Sequence, residues 1–366
     1  MAENLINLFE YEAEAKKRMP SLEYQRIAGG AGEEFTLRRN REIYGTIMLR
    51  PKMLTDVSSV KTATTVLGHK MSFPVMLAPA GFHARAHKDG EVASVRAAGA
   101  EGVVMMLSSA ALKTMEEVAL AGAGTRWFQQ YFFRDKGLNL EFANRAEKAG
   151  YKAICVTVDS KARPKRDRDL RNSNASLTLP NYKGLGLKEN GEGSKVLFDI
   201  RDPGATFEDL EWLASKTRLP VIPKGVMRGD DARRCVEHGA KAVVVSNHGG
   251  GILDTEFSAI EMLPEVVEAV DGKAEVYVDG GIRRGSDIVK ALALGARAVL
   301  IGRPVFWGLA VAGEEGVRGV LQVLREETQM TMAMCGVADV KAIDLSLIGG
   351  VSPLADVLSQ PGWRMG

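Results

Sequence analysis

The chain has 366 residues, 45% of them hydrophobic, and a formal net charge of +2. That is enough apolar material for one large α/β domain or two smaller ones, and too little charge bias to mark a nucleic-acid or membrane-surface partner. The three cysteines, Cys155, Cys235 and Cys335, form no CxxC pair, so neither a zinc site nor a disulfide framework is expected and a reducing, cytoplasmic setting fits.

The first stretch, "MAENLINLFEYEAEAKKRMP", is charged and amphipathic and lacks the basic n-region and apolar h-region of a signal peptide. No run reaches the ~18 apolar residues of a membrane span. Residues 1–70 are therefore expected as a helical N-terminal extension. From residue 71 the pattern changes to short apolar runs separated by helical stretches. In chain order they are "FPVMLAP" (73–79), "GAEGVVMMLSS" from Gly99, "RWFQQY" (126–131), "GYKAICVTVDS" from Gly150, "LPVIPKG" (219–225), "GAKAVVVSNHG" from Gly239, "AEVYVDGG" (274–281) and "GARAVLIGRP" from Gly295. Four of them share one form: a glycine, two spacers, Ala or Gly, an apolar run, then small polar residues. The glycine predicts a left-handed helix end and the apolar run a strand buried on both faces. Between them, "GDDARRCVEH" offers an Asp cap and "GSDIVKALAL" a Ser cap for the helices that precede Gly239 and Gly295. Alternating β and α units predict a parallel sheet, and eight of them predict a (β/α)8 TIM barrel over 71–345. A doubly wound open sheet is the competing reading. The charge- and glycine-rich stretch 160–205 follows the fourth strand and is expected as a flap over the barrel mouth. Residues 303–336 read as closing helices and 346–366 as a tail.

Chemistry in such a barrel gathers where the strands end. The strand ends here carry Ala78–Gly81, Ser108, Gln129, Tyr131, Thr157, Asp159, Lys224, Ser246, His248, Asp279–Arg283 and Gly302–Arg303. "DGGIRRGSD" and "IGRP" follow the last two strands, where backbone N–H groups and arginines bind phosphate in barrels of this kind; ordinary tight turns are the bland alternative. Lys224 can stabilise an anion or form a Schiff base, unless it snorkels to the surface. His248 is the acid/base candidate, with Asp159 to orient it, against the commoner fate of a structural histidine. The other histidines show no ligand spacing, so no metal is expected. Lys161–Arg171 is a basic run of the kind that usually faces solvent, but its position over the mouth allows a substrate-facing arginine. A barrel that binds a phosphorylated ligand and isomerises it is a different-class reading of the same residues.

The motifs "RPKML", "APAG", "GEVASVRAAGAEG", "LSS", "TVDS", "KGV", "SNHGG", "DGGIRRGSDIVKALALGA" and "IGRP", running from about residue 8 to 345, resemble those of the FMN-dependent α-hydroxy-acid oxidases and dehydrogenases. The resemblance implies a TIM barrel that holds FMN. It implies flavin contacts from Ala78, Pro79, Ala80, Gly81, Ser108, Gln129, Thr157 and Ser246, with Lys224 beside flavin N1 and O2. Ribityl and phosphate would be held by Asp279, Gly281, Arg283, Gly302 and Arg303. His248 would be the base, oriented by Asp159, with Tyr131 and Arg166 facing the substrate. A small-molecule substrate and an electron acceptor (O2, a quinone or a redox protein) are implied as partners, with a homotetramer or octamer as the assembly.

Three positions depart from the family pattern. An arginine that grips the substrate carboxylate is usual where this chain has Gly251, a tyrosine where it has Arg26, and a bulky aromatic where it has Ala110. All three belong to the substrate pocket, so an altered or larger substrate is expected, with Arg26 taking over the carboxylate as one possibility. The alternative is a non-carboxylate or amine-bearing substrate, as in maturation of a peptide-derived redox cofactor. Gly81, where some members have alanine, leans the expectation toward dehydrogenase behaviour.

Overall fold

The computed structural model describes residues 5–171, 179–183 and 198–349. Three helices, Leu8–Arg18, Ser21–Ala28 and Phe35–Glu42, lead into an antiparallel hairpin of β1 (Thr64–Val66) and β2 (His69–Met71). Eight parallel strands follow: β3 (Val75–Leu77), β4 (Met105–Ser108), β5 (Arg126–Tyr131), β6 (Ile154–Thr157), β7 (Val221–Val226), β8 (Ala242–Val245), β9 (Glu275–Asp279) and β10 (Ala298–Ile301). They close into a barrel because β10 pairs with β3 as well as with β9, with Val299 opposite Val75 and Ile301 opposite Leu77. The open-sheet reading falls on that pairing. Every residue of β3, β4, β6, β8 and β10 is buried, which is why these strands read as unbroken apolar runs. Among the described residues no helix is long and apolar enough to cross a membrane.

The repeated glycines behave as expected at Gly150, Gly239 and Gly295, all with positive φ after a helix. The first repeat differs. Gly99 lies inside the helix Gly90–Ala100, close against the carbonyl of Ala123, and Gly102 (φ 64°) makes the left-handed turn. The expected caps also differ. The helix Gly229–Glu237 begins after Arg228, and the Gly229 amide donates to Glu265 Oε1 (2.7 Å) from the neighbouring helix. At Gly285–Ala293 the entry amides of Arg283 and Arg284 donate to Asp287 Oδ2 (2.9 and 3.0 Å), and that of Gly285 to Glu327 Oε2 (2.8 Å). Packed helices bring longer carboxylates to amides that a local Asp or Ser would otherwise cap.

Two features of the fold position the mouth. On β7 a bulge between Lys224 and Val226 holds Gly225 at φ 107°, and a Cβ there would lie 2.6 Å from Asp159 Cβ. The bulge thus makes room for Asp159 beside the strand end. The helix Phe35–Glu42 reaches the loops after β8 and β9. Asn40 and Asn247 exchange side-chain amide bonds, each 2.8 Å, and Gly281 packs so closely on Asn40 that a Cβ would overlap its carbonyl. The closing segment Arg303–Met334 is two helices across a kink at Ala312–Gly313. Of the expected flap, 172–178 and 184–197 lie outside the described residues, as do 350–366 of the expected tail.

Replacing Gly281 by alanine should therefore separate the lead-in from the β9 loop. Equilibrium urea unfolding is expected to show a loss of at least about 2 kcal/mol, in the range of severe core overpacking at a positive-φ position.

Candidate active site

The loops at the C-terminal ends of the strands surround a cavity of about 520 Å³. On its floor Lys224, 4% exposed, donates to Ser246 Oγ (2.7 Å) and pairs with Asp279 Oδ2 (2.8 Å). Burial pulls the lysine pKa down, but Asp279 and Asp159 outweigh it and the net shift is upward, so the ammonium is kept. Asp279 Oδ1 is buried without a partner. Ser108 donates to Gln129 Oε1 (3.1 Å), and Gln129 Nε2 to Thr157 Oγ1 (2.9 Å). Of this set Ser108, Lys224 and Asp279 line the cavity, as do Ala78, Pro79, Ala80 and Gly81. Gln129, Thr157 and Ser246 are buried one layer behind, tying the lining groups together.

His248 stands on the wall above Ser246. Its backbone has φ 57°, a left-handed conformation that a histidine adopts at a cost of about 1 kcal/mol or more. Its amide donates to Ser246 Oγ (3.1 Å), and the Asn247 side chain accepts from Gly250 N (3.2 Å), so the strained turn is held from both sides. The ring nitrogen Nδ1 lies 3.1 and 3.2 Å from the two Asp159 carboxylate oxygens. Burial pushes the Asp159 carboxyl up, but the charge and hydrogen bond of His248 together with Lys224 outweigh it, leaving the pKa below its ordinary value. With Nδ1 engaged, Nε2 is the nitrogen left for a reactant, and His248 lines the cavity.

The opposite end is cationic. Arg283, pressed on the Trp307 ring, and Arg303 both line the cavity beside Gly281 and Gly302. Burial lowers the pKa of Arg283 to about 10; burial and the nearby Arg283 charge lower that of Arg303 to about 9. Two desolvated guanidinium groups beside glycine turns fit a phosphate, and Lys224 with the free Asp279 oxygen fits a polar planar group on the floor. These residues thus suit FMN. The fork of Arg303 is itself committed: Nε, Nη1 and Nη2 donate to the carbonyls of Ile27, Gly249 and Gly29, each 2.9 Å. It staples the lead-in to the His248 loop and offers the phosphate side its charge rather than its fork.

On the remaining wall Gly251 and Ala110 contribute no functional side chain, and Tyr131, Arg26 and Arg166 all line the cavity. Arg26 pairs with Glu23 Oε1 (3.3 Å), whose other oxygen takes Arg85 (2.6 Å). Arg166 Nη2 donates to the carbonyls of Arg26 and Gly29 (2.8 Å each), and Nη1 pairs with Asp169 (3.4 Å). Sequence reasoning missed Asn40, Glu23 and Arg85. It also missed Arg201, which lines the cavity from the far end of the flap region. Asn40 and Arg201 carry no local signal, since each acquires its place only through a contact more than two hundred or about seventy residues away along the chain.

The family model described as FMN-dependent dehydrogenase matches residues 15–349. The chain is 46% identical over 357 residues to the L-lactate oxidase of Nostoc sp., covering 94% of this chain and 98% of that one. It is 46% identical to glycolate oxidase 5 of Oryza sativa subsp. japonica, covering 91% and 92%. A crystal structure of mandelate oxidase with (S)-2-phenylpropionate superposes with a TM-score of 0.84 at 40% identity, covering 93% of this chain and 97% of that one. Likeness of that extent goes beyond a shared barrel to the cavity-lining motifs themselves, and the chain belongs to the FMN-dependent α-hydroxy-acid oxidase and dehydrogenase family, enzymes that act on a CH–OH group.

Proposed function

We propose that this chain oxidises the hydroxyl-bearing carbon of a 2-hydroxy acid in a widened pocket, with O2 as the electron acceptor. The observation that carries the reading is the pair His248–Asp159 at the cavity wall, Nδ1 held by both carboxylate oxygens. Bound FMN supplies a two-electron acceptor. Ser108, Lys224, Asp279 and the 78–81 backbone are the groups to hold its ring, with Gln129, Thr157 and Ser246 bracing them. Gly281, Arg283, Gly302 and Arg303 are the groups to hold its phosphate end.

In this reading His248 Nε2 takes the proton the substrate gives up. Asp159 fixes the ring through Nδ1 and stabilises the imidazolium that results. Lys224, kept charged by Asp279, sets a fixed positive charge against the ring that receives the electrons. The Tyr131 hydroxyl orients the substrate hydroxyl. The short side chains at Gly251 and Ala110 leave room for a larger substituent than a methyl group.

Oxygen is favoured over a dedicated acceptor by two considerations. A Cβ at Gly81 would meet Ala110 Cβ and O at 2.9 Å each, so glycine is required by the packing of that turn and gives no sign of dehydrogenase behaviour. The relatives at 46% identity are named as oxidases. Oxidation of an amine-bearing substrate has no support from these relatives. A tetrameric or octameric assembly and a cytoplasmic location remain parts of the proposal that rest on family resemblance.

Anaerobic addition of glycolate, L-lactate or mandelate to the yellow protein is expected to bleach the flavin absorbance with at least one of them, and air should restore it with release of hydrogen peroxide. Unbleached flavin across a broad 2-hydroxy-acid panel would sink the reading. His248→Ala should lower the rate of anaerobic flavin reduction about 10²–10⁴-fold, with FMN still bound. Lys224→Met should yield protein that purifies with less flavin, because Asp279 is then left buried without its cation; full FMN content measured by absorbance would contradict the role given to Lys224.

A further inference from the structure

Arg201 lines the cavity and is 7% exposed. The backbone there bridges to Phe133, which brings the residue against the end of β5. Its guanidinium carbon lies 3.4 Å from the centroid of the Tyr131 ring and 4.0 Å from that of Phe198. Nε is buried without a hydrogen-bond partner, and among the described residues the guanidinium has no carboxylate or carbonyl acceptor. Two aromatic faces offset part of the cost of desolvating a guanidinium, but they give its N–H edge nothing to bind.

The other cations around the cavity are matched. Arg26 and Arg85 share Glu23, Arg166 has two carbonyls and Asp169, and Lys224 has Asp279. Arg283 and Arg303 face the glycine turns that suit a phosphate, and Arg163 is exposed to solvent. That leaves a buried fork, stacked on the very ring whose hydroxyl faces the substrate, with an acceptor still to come. A 2-hydroxy acid carries its hydroxyl and its carboxylate on adjacent carbons. Tyr131 and Arg201 offer a hydroxyl and a fork side by side.

We propose that Arg201 is the carboxylate clamp of this enzyme, holding bidentately the α-carboxylate that Gly251 has no side chain to grip. The inference rests on the hydroxy-acid reading above and replaces Arg26, whose charge Glu23 already meets, as the source of the clamp. A guanidinium laid over a ring keeps its N–H edge free for a planar acceptor, so the stack fixes the plane in which the carboxylate binds.

The test uses the FMN-loaded protein and 2-hydroxy-2-methylpropanoate, which has no hydrogen on the reacting carbon and cannot be oxidised, with the corresponding amide as its uncharged counterpart. Binding is measured by calorimetry and by perturbation of the flavin spectrum, so it does not depend on turnover. The parent protein is expected to bind the acid at least about tenfold more tightly than the amide. R201Q should lose at least about tenfold in acid affinity while amide affinity changes less than about twofold, and R201K should recover part of the loss. FMN content and melting temperature serve as the check that each variant is folded, and R201K keeps the charge if R201Q is not. The proposal is overturned if the parent shows no preference for the acid, or if R201Q binds it like the parent. It is equally overturned if R26L rather than R201Q loses the affinity, or if R201Q weakens only hydroxy-diacids such as malate. An acid-selective parent that depends on Arg201 but is not reduced by any 2-hydroxy acid would uphold the clamp and refute the oxidation reading.

Discussion

A parallel sheet with both faces covered leaves its edge hydrogen bonds exposed unless it closes, and the pairing of β10 with β3 is where this chain meets that constraint. Closure has a chemical consequence. All eight strands run the same way, so their C-terminal ends meet on one rim, and residues as far apart in the chain as Ser108 and Arg303 come to line one cavity. The short polar stretch at each strand end is free to carry chemistry because the apolar run before it carries the barrel.

The rim is held by contacts that strand periodicity does not contain. The Gly225 bulge admits Asp159, the Asn40–Asn247 amide pair fixes the His248 turn, and the Arg303 fork ties three carbonyls from two separate segments. Each buries polar groups in matched pairs, which lets a turn with a left-handed histidine persist. The lead-in helices are thus part of the site: they supply Asn40 and Glu23, and the carbonyls that occupy Arg166 and Arg303.

The electrostatic layout divides the cavity by function. Carboxylates accompany the floor lysine and the wall histidine, which keeps one protonated and orients the other. The arginines beside the last two strand ends lack carboxylate partners within pairing distance, and burial lowers their pKa values, as suits a site made to receive a divalent anion. Arg201 repeats that logic on a smaller scale across the cavity.

All eight strands and the order of the polar strand ends were legible, because a strand buried on both faces must be apolar throughout and its exit is marked by a change of composition. His248, Lys224 and the glycines of the last two turns were legible for the same reason. The helix caps at Gly229 and Gly285 were misread because Glu265 and Glu327 reach them from other helices, and the first repeat was misread because Gly102 turns the chain in place of Gly99. Arg26 and Arg166 could be placed at the cavity from the sequence, but not their commitments to Glu23, Asp169 and backbone carbonyls. Sequence by itself determined the barrel, the cofactor and the acid/base pair, since these follow from local pattern repeated eight times and from motifs that keep their spacing. Only the tertiary structure decided which arginine still lacks a partner, because pairing depends on which charges packing brings within a few ångströms, and no local pattern encodes that.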